Sequence, residues 1–173
     1  RNQGQKIRIR TIVIDDAHAC LATVKEQFTI KFPFQHSAYQ SLFPIFRPEL
    51  GRQSQTTLLD VEAMDPQAVM LVPYWIWRDS QKEIAPILHE HRNSDELKFS
   101  WPLVAGVLDL CRCAIGGGVL EIAPRCLPID YFPSFDQAKR RLHMTATLAD
   151  DSVLVTEFQA DPNSVASPIT PSS

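Results

Sequence analysis

The stretch TIVIDDAHACLATV, residues 11–24, decides the fold. It opens with a β-branched apolar run at 12–14, the composition of a strand buried on both faces. Two adjacent carboxylates, Asp15 and Asp16, close that run. Cys20, Leu21, Val24 and Phe28 then recur at helical spacing. Strand, charged turn and helix make an α/β unit. Two like charges beside apolar surroundings raise each other's proton affinity unless a cation or water relieves them. A carboxylate at the C-terminal end of a parallel strand points into the crevice where open α/β sheets bind ligands. There it can hold Mg²⁺, generally through water, while a neighbour polarises an attacking water. On the residues alone a second reading stands beside this one: Asp15 or Asp16 caps the helix at 17–28 by accepting from its first amides.

Composition narrows the class. The chain has 173 residues, 45% hydrophobic and 21% charged, which suits one globular domain or one plus an insert. A formal net charge of -3 offers no global attraction for nucleic acid or an anionic membrane, so a polyanion site has to be a local patch. The apolar stretch LVAGVL at 103–108 is far short of the roughly 20 residues that span a bilayer. No basic-apolar-small segment opens the chain, and the expectation is a cytoplasmic protein with no membrane partner. Cys20, Cys111, Cys113 and Cys126 are too few and too oddly spaced for a disulfide scaffold, and they lack the C-x-x-C pair and fourth ligand of a metal cluster.

Beyond residue 32 the character changes. FPFQHSAYQSLFPIFRPEL at 32–50 carries three prolines among aromatics, and GRQSQTT at 51–57 reads as a polar loop. Two helix-like pieces follow, at 75–91 and 102–113, the first bent or interrupted by Pro86. After IGGG, residues 119–129 are strand-like, 134–140 helix-like and 141–148 strand-like. SVLVTEF is a short helix from Asp151 or Ser152, and the Pro/Ser-rich tail reads as linker. The organisation is α/β, a mostly helical insert, and α/β again.

Two motifs sharpen this. VIDDAH at 13–18 resembles motif II, the Walker B element usually written DEAD or DEAH, of superfamily 2 helicases. MTATL at 144–148 resembles their motif III. The order agrees, and the long interval from His18 to Thr145 is similar to that of the excision-repair and DinG-like branch, where an arch-like helical insert separates the motifs. RCLPID at 125–130 looks like a variant of that branch's C-L-D-P segment. The resemblance covers 1–32 and 118–160 and implies a partial RecA-like P-loop NTPase motor domain. Its first part is 1–32 with motif II, its arch-like insert 33–117, and its second part 118–173 with motif III and linker. The implied function is ATP-dependent unwinding of, or translocation on, nucleic acid, DNA by analogy with the branch, with Mg²⁺ and ATP as cofactors.

Carried over by position, Asp15 matches the carboxylate that organises Mg²⁺. Asp16 stands where the family has the glutamate that orients or deprotonates the hydrolytic water. His18 matches the histidine linking the nucleotide to motif III, and Thr145 and Thr147 match that motif's coupling hydroxyls. Asp16 is a departure, one methylene shorter than glutamate. The family's phosphate-binding loop precedes motif II, yet only fourteen residues precede Asp15. AIGGGVLE at 114–121 has glycines but no Lys-Ser/Thr, and reads as a turn. The expectation is an internal segment of a larger motor, inactive alone, whose site is completed by the remainder of the same polypeptide, including a second motor domain.

Tyr74, Trp75, Trp77 and Trp101 present either stacking faces for single-stranded bases or, the preferred reading, the insert's core. His89 and His91 are two apart and point to different helix faces, unlike a metal pair. KRR at 139–141 reads as a solvated helix end near orphan carbonyls. Two other functions compete. IVIDDA also resembles the first strand of a response-regulator receiver, with Asp60 as phospho-acceptor, though no lysine follows the corresponding late strand. A non-catalytic interaction module derived from a helicase is the other.

Overall fold

The computed structural model describes residues 9–144 and 152–169. In chain order its elements begin with β1 (Thr11–Ile14), α1 (Ala17–Gln27), β2 (Ile30–Pro33), α2 (Ser37–Gln53), α3 (Gln55–Glu62), β3 (Val69–Leu71) and α4 (Tyr74–Asp79). They continue with α5 (Gln81–Glu90), α6 (Trp101–Val104), β4 (Cys111–Gly116), β5 (Val119–Pro124), α7 (Pro133–Asp136), β6 (Arg140–His143), α8 (Ser152–Phe158) and α9 (Pro162–Val165). The chain forms two compact units, residues 25–125 and the flanking stretches 1–24 with 126–173. The fold is mixed α/β, with one parallel and one antiparallel sheet.

The flanking unit is built on β1 and β6, which pair in parallel with Thr11 opposite Arg140 and Ile14 opposite His143. Ile14 is buried, but Val13 is 56% exposed, so the strand is covered on one face and not on the two that its composition suggested. Leu154 and Phe158 of α8 are buried, as is Glu157, whose Oε2 accepts from the Leu127 amide at 3.2 Å. Arg141 donates to the carbonyls of Phe158 and Gln159 at 3.0 and 3.2 Å, closing the C-terminal end of α8, and its guanidinium lies over Phe135. The basic run at 139–141 therefore does meet orphan carbonyls. They belong to α8, and Arg141 itself is on a strand.

The inner unit is a four-stranded antiparallel sheet in the order β2-β5-β4-β3. Alternation sends Ile30, Phe32, Met70, Cys113, Ile115, Leu120 and Ile122 into the core. Gly117 lies in the turn joining β4 to β5; a Cβ there would stand 2.6 Å from the Asp65 carbonyl oxygen, so only glycine fits. Helix α2 buries Ala38, Tyr39, Leu42, Phe46 and Leu50, one stripe at 3.6 spacing. Pro44 and Pro48 lie inside this helix and both are exposed. Four residues apart, they share the solvent side, where water can satisfy the carbonyls they leave without a donor.

Several expected boundaries shift. The insert anticipated at 33–117 as mostly helical contains a sheet, and the stretch at 118–125, anticipated as part of the motor, is that sheet's β5, paired on both sides. Pairing across the β4–β5 hairpin draws both neighbours of the anticipated insert into one core. GRQSQTT is no loop: Ser54 ends α2 by donating to the Leu50 carbonyl and starts α3 by accepting from the Thr57 amide at 3.3 Å. The 75–91 helix breaks at Ser80 and not at Pro86, which is exposed within α5. Residues 111–113 are strand, not helix.

Candidate functional site

Asp15 and Asp16 follow β1 directly, at the C-terminal end of a parallel strand. The next strand over, β6, ends at His143, and Met144 continues the ladder: its amide donates to the Ile14 carbonyl at 2.8 Å and its carbonyl accepts from the Ala17 amide at 2.9 Å. One residue of the second motif thus brackets the two acids of the first. In an uninterrupted parallel ladder that carbonyl would take the amide of Asp16, two residues beyond Ile14. It takes the next one, so the chain carries an extra residue here, as in a bulge.

Asp16 absorbs that residue. Its φ is 50°, in the left-handed region that Asp, Asn and Gly tolerate best. Its Oδ1 accepts from the Ala19 amide at 3.2 Å, and its carbonyl accepts from the Cys20 amide at 3.0 Å, which starts α1. The capping reading therefore holds for Asp16. Asp15 differs: its side chain is exposed and meets no hydrogen-bonding or ionic partner among the described residues, while its carbonyl accepts from the Cys20 thiol at 3.3 Å. Ala17 is fully buried, and His18 one position on is half-buried.

Thr145 and Thr147 lie outside the described residues. Their neighbour Met144 is placed against the Asp15–Asp16 turn by the two hydrogen bonds above. Among the described residues no group of three or more His, Cys, Asp or Glu side chains is arranged to hold a metal. An all-protein cage is thereby absent from them; a Mg²⁺ bound by one carboxylate, waters and nucleotide phosphates does not require one.

The sequence missed His143. It sits on β6 with its ring 5.4 Å from that of Phe158, and its Nε2 is buried with no hydrogen-bond partner among the described residues. Burial, with the Arg141 cation beside it, lowers its proton affinity below the usual imidazole range. Alternation along 141–143 was the signal available, because it puts Arg141 and His143 on one face.

In the inner unit the aromatic cluster divides. Trp77 is core, its Nε1 donating to the Leu108 carbonyl at 2.9 Å and its ring stacked on Phe46. Tyr74 and Trp75 are exposed and meet edge to face. His91 approaches Ser37 Oγ at 3.4 Å and pairs with the ring of His36. His36 caps α2 by accepting from the Ala38 amide on Nδ1, and its Nε2 faces Glu96 at 3.4 Å. Both its nitrogens have structural partners. Asp60 lies within helix α3, in a different unit from Asp15 and Asp16. Comparison with protein-family models, with curated proteins and with solved structures gave no match.

Proposed function

We propose that the chain is a segment of an ATP-driven motor acting on nucleic acid, carrying the Mg²⁺-organising end of a RecA-like domain and its coupling motif. One observation carries the reading: Met144 bonds to both Ile14 and Ala17, so VIDDAH and the start of MTATL meet at the ends of two adjacent parallel strands. That is where open α/β sheets bind ligands. Open exposure of Val13 adds support, since parallel sheets are ordinarily covered on both faces and a two-stranded pair suits a larger sheet.

In this reading Asp15 would hold Mg²⁺, and Mg²⁺–ATP, when bound, would supply the phosphoryl group for hydrolysis. Asp16 stands beside it, at the family's glutamate position. His18 is the second residue of α1, and Thr145 and Thr147 follow in sequence the residue that ties the two strand ends. A shift at the turn would pass through the Ala17–Met144 hydrogen bond to the threonines and alter the grip on a strand. DNA is the proposed partner, with the phosphate-binding loop and second motor domain supplied by the rest of the polypeptide and the cytoplasm as location. No helix among the described residues is long and apolar enough to cross a membrane.

The test is phosphate release by the intact protein with Mg²⁺–ATP, alone and with single-stranded DNA or RNA. Stimulation by DNA is expected. Turnover that is indifferent to both strands, or that needs no divalent cation, would overturn the proposal.

A further inference from the structure

We infer that Asp16 is a positioning residue for Asp15, and that the β1–α1 turn, not water activation, sets its identity as aspartate. The inference rests on the proposed function for what Asp15 does. The helicase resemblance gives this position to a water-handling glutamate, and glutamate is the residue that the turn would accept poorly.

Three features converge. The backbone of Asp16 has φ 50°, a region open to Asp and Asn but costly to longer side chains without a local hydrogen bond. Its Oδ1 reaches the Ala19 amide, a contact made by the short cap residues Asp, Asn, Ser and Thr. The ladder skips its amide, because the Met144 carbonyl takes that of Ala17. Asp16 is thus folded out of line between two anchored neighbours. The consequence falls on Asp15, which lies between the end of β1 at Ile14 and that turn, with its carboxylate exposed and unpartnered among the described residues. Loosening the turn would let that carboxylate wander from the strand end.

The two roles predict opposite orders of variants. Asn reproduces the cap and the left-handed backbone but cannot act as a base, whereas Glu keeps the charge but loses the cap. In the intact protein, Asp16→Asn is expected to exceed Asp16→Glu in turnover by about tenfold and to melt at a higher temperature than Asp16→Glu or Asp16→Ala. Asp16→Glu is expected to raise the Mg²⁺ concentration for half-maximal turnover by about tenfold, the scale of losing an orienting contact behind a metal ligand. A chemical base would give the reverse: an active Glu variant with unchanged Mg²⁺ dependence, and a dead Asn variant. That result overturns the inference, and so does an Asp16→Asn protein that fails to fold. A separate arm guards the underlying reading: if Asp15→Asn leaves the Mg²⁺ concentration for half-maximal turnover unchanged, the proposed function fails, while the melting order at position 16 still reports on the turn.

Discussion

The amide of Ala17 donates to the carbonyl of Met144 at 2.9 Å, although the whole of the inner unit separates them along the chain. Ala17 is also fully buried at the first turn of α1. A larger side chain at this buried position would have to displace its neighbours. The hydrogen bond and the absence of a larger side chain together set how closely the acidic turn and Met144 approach.

Enlarging Ala17 should therefore separate them. Ala17→Leu is expected to destabilise the protein by about 1–3 kcal/mol through overpacking. The midpoint of urea unfolding measures it, and amide exchange at Ala17 should quicken in parallel. A variant as stable as the parent would show that the turn has room the structure does not give it.

Asp15→Asn is isosteric and sits at an exposed position, so stability should change by no more than about 0.5 kcal/mol. Turnover of the intact protein should nonetheless fall about a hundredfold or more, the scale of removing one fixed electrostatic contact from a reacting phosphate site. Calorimetry and phosphate release on the same preparation separate the two effects.

The aromatic residues of α4 make a contrasting pair. Trp77→Ala removes a buried indole that is hydrogen-bonded to Leu108 and stacked on Phe46, and should cost about 3–5 kcal/mol. Trp75→Ala, 46% exposed, should cost far less, within about 1 kcal/mol. Denaturant unfolding followed by circular dichroism compares them directly.

That contrast shows what could be read beforehand. YWIWRD was legible as aromatic and helical, and core was the right reading for Trp77 alone; which ring turns inward depends on α2 and the 105–110 segment, which lie far off in sequence. The strand–turn–helix at 11–27 was legible because β-branched run, acids and helical spacing are all local. Asp16's cap belonged to the same local code and stood among the open readings. The sheet of the inner unit was not, because its strands are short and three to six residues give periodicity little to work with. Helix α2 was hidden by Pro44 and Pro48, whose cost depends on which side they face, and a single window of sequence does not reveal that. The resemblance to helicase motifs places a unit boundary at 117–118, between β4 and β5 of one sheet, and the threonines of its second motif lie outside the described residues.

Thiol chemistry follows burial. Cys111 is pushed up to about 12 by burial and by Asp109 nearby, and Cys113 is raised well above the usual thiol range by burial and Glu121. Cys20 and Cys126 are exposed. Iodoacetamide on the native protein at neutral pH should thus modify Cys20 and Cys126 only, with Cys111 and Cys113 reacting after unfolding. Mass spectrometry of tryptic fragments reads the sites, and prompt native labelling of Cys113 would contradict the packing of the sheet.

His143 makes stability depend on pH in a definite direction. Burial first, and the Arg141 cation second, lower its folded pKa below the ordinary value of 6.5. Between those two values the unfolded chain binds a proton that the folded chain does not, so stability rises with pH there. The contribution is complete above 6.5 and is lost as the pH falls through the folded value. Carboxylates also titrate on acidification, so the informative quantity is the difference from a variant that lacks the imidazole. His143→Phe keeps a ring against Phe158 and removes the buried Nε2, which has no hydrogen-bond partner among the described residues. Measured by urea unfolding at about pH 7.5 and about pH 5, the variant should gain on the parent as the solution is acidified. Equal losses in both proteins would mean that the imidazole accepts its proton as readily folded as unfolded, which the buried nitrogen beside Arg141 does not allow.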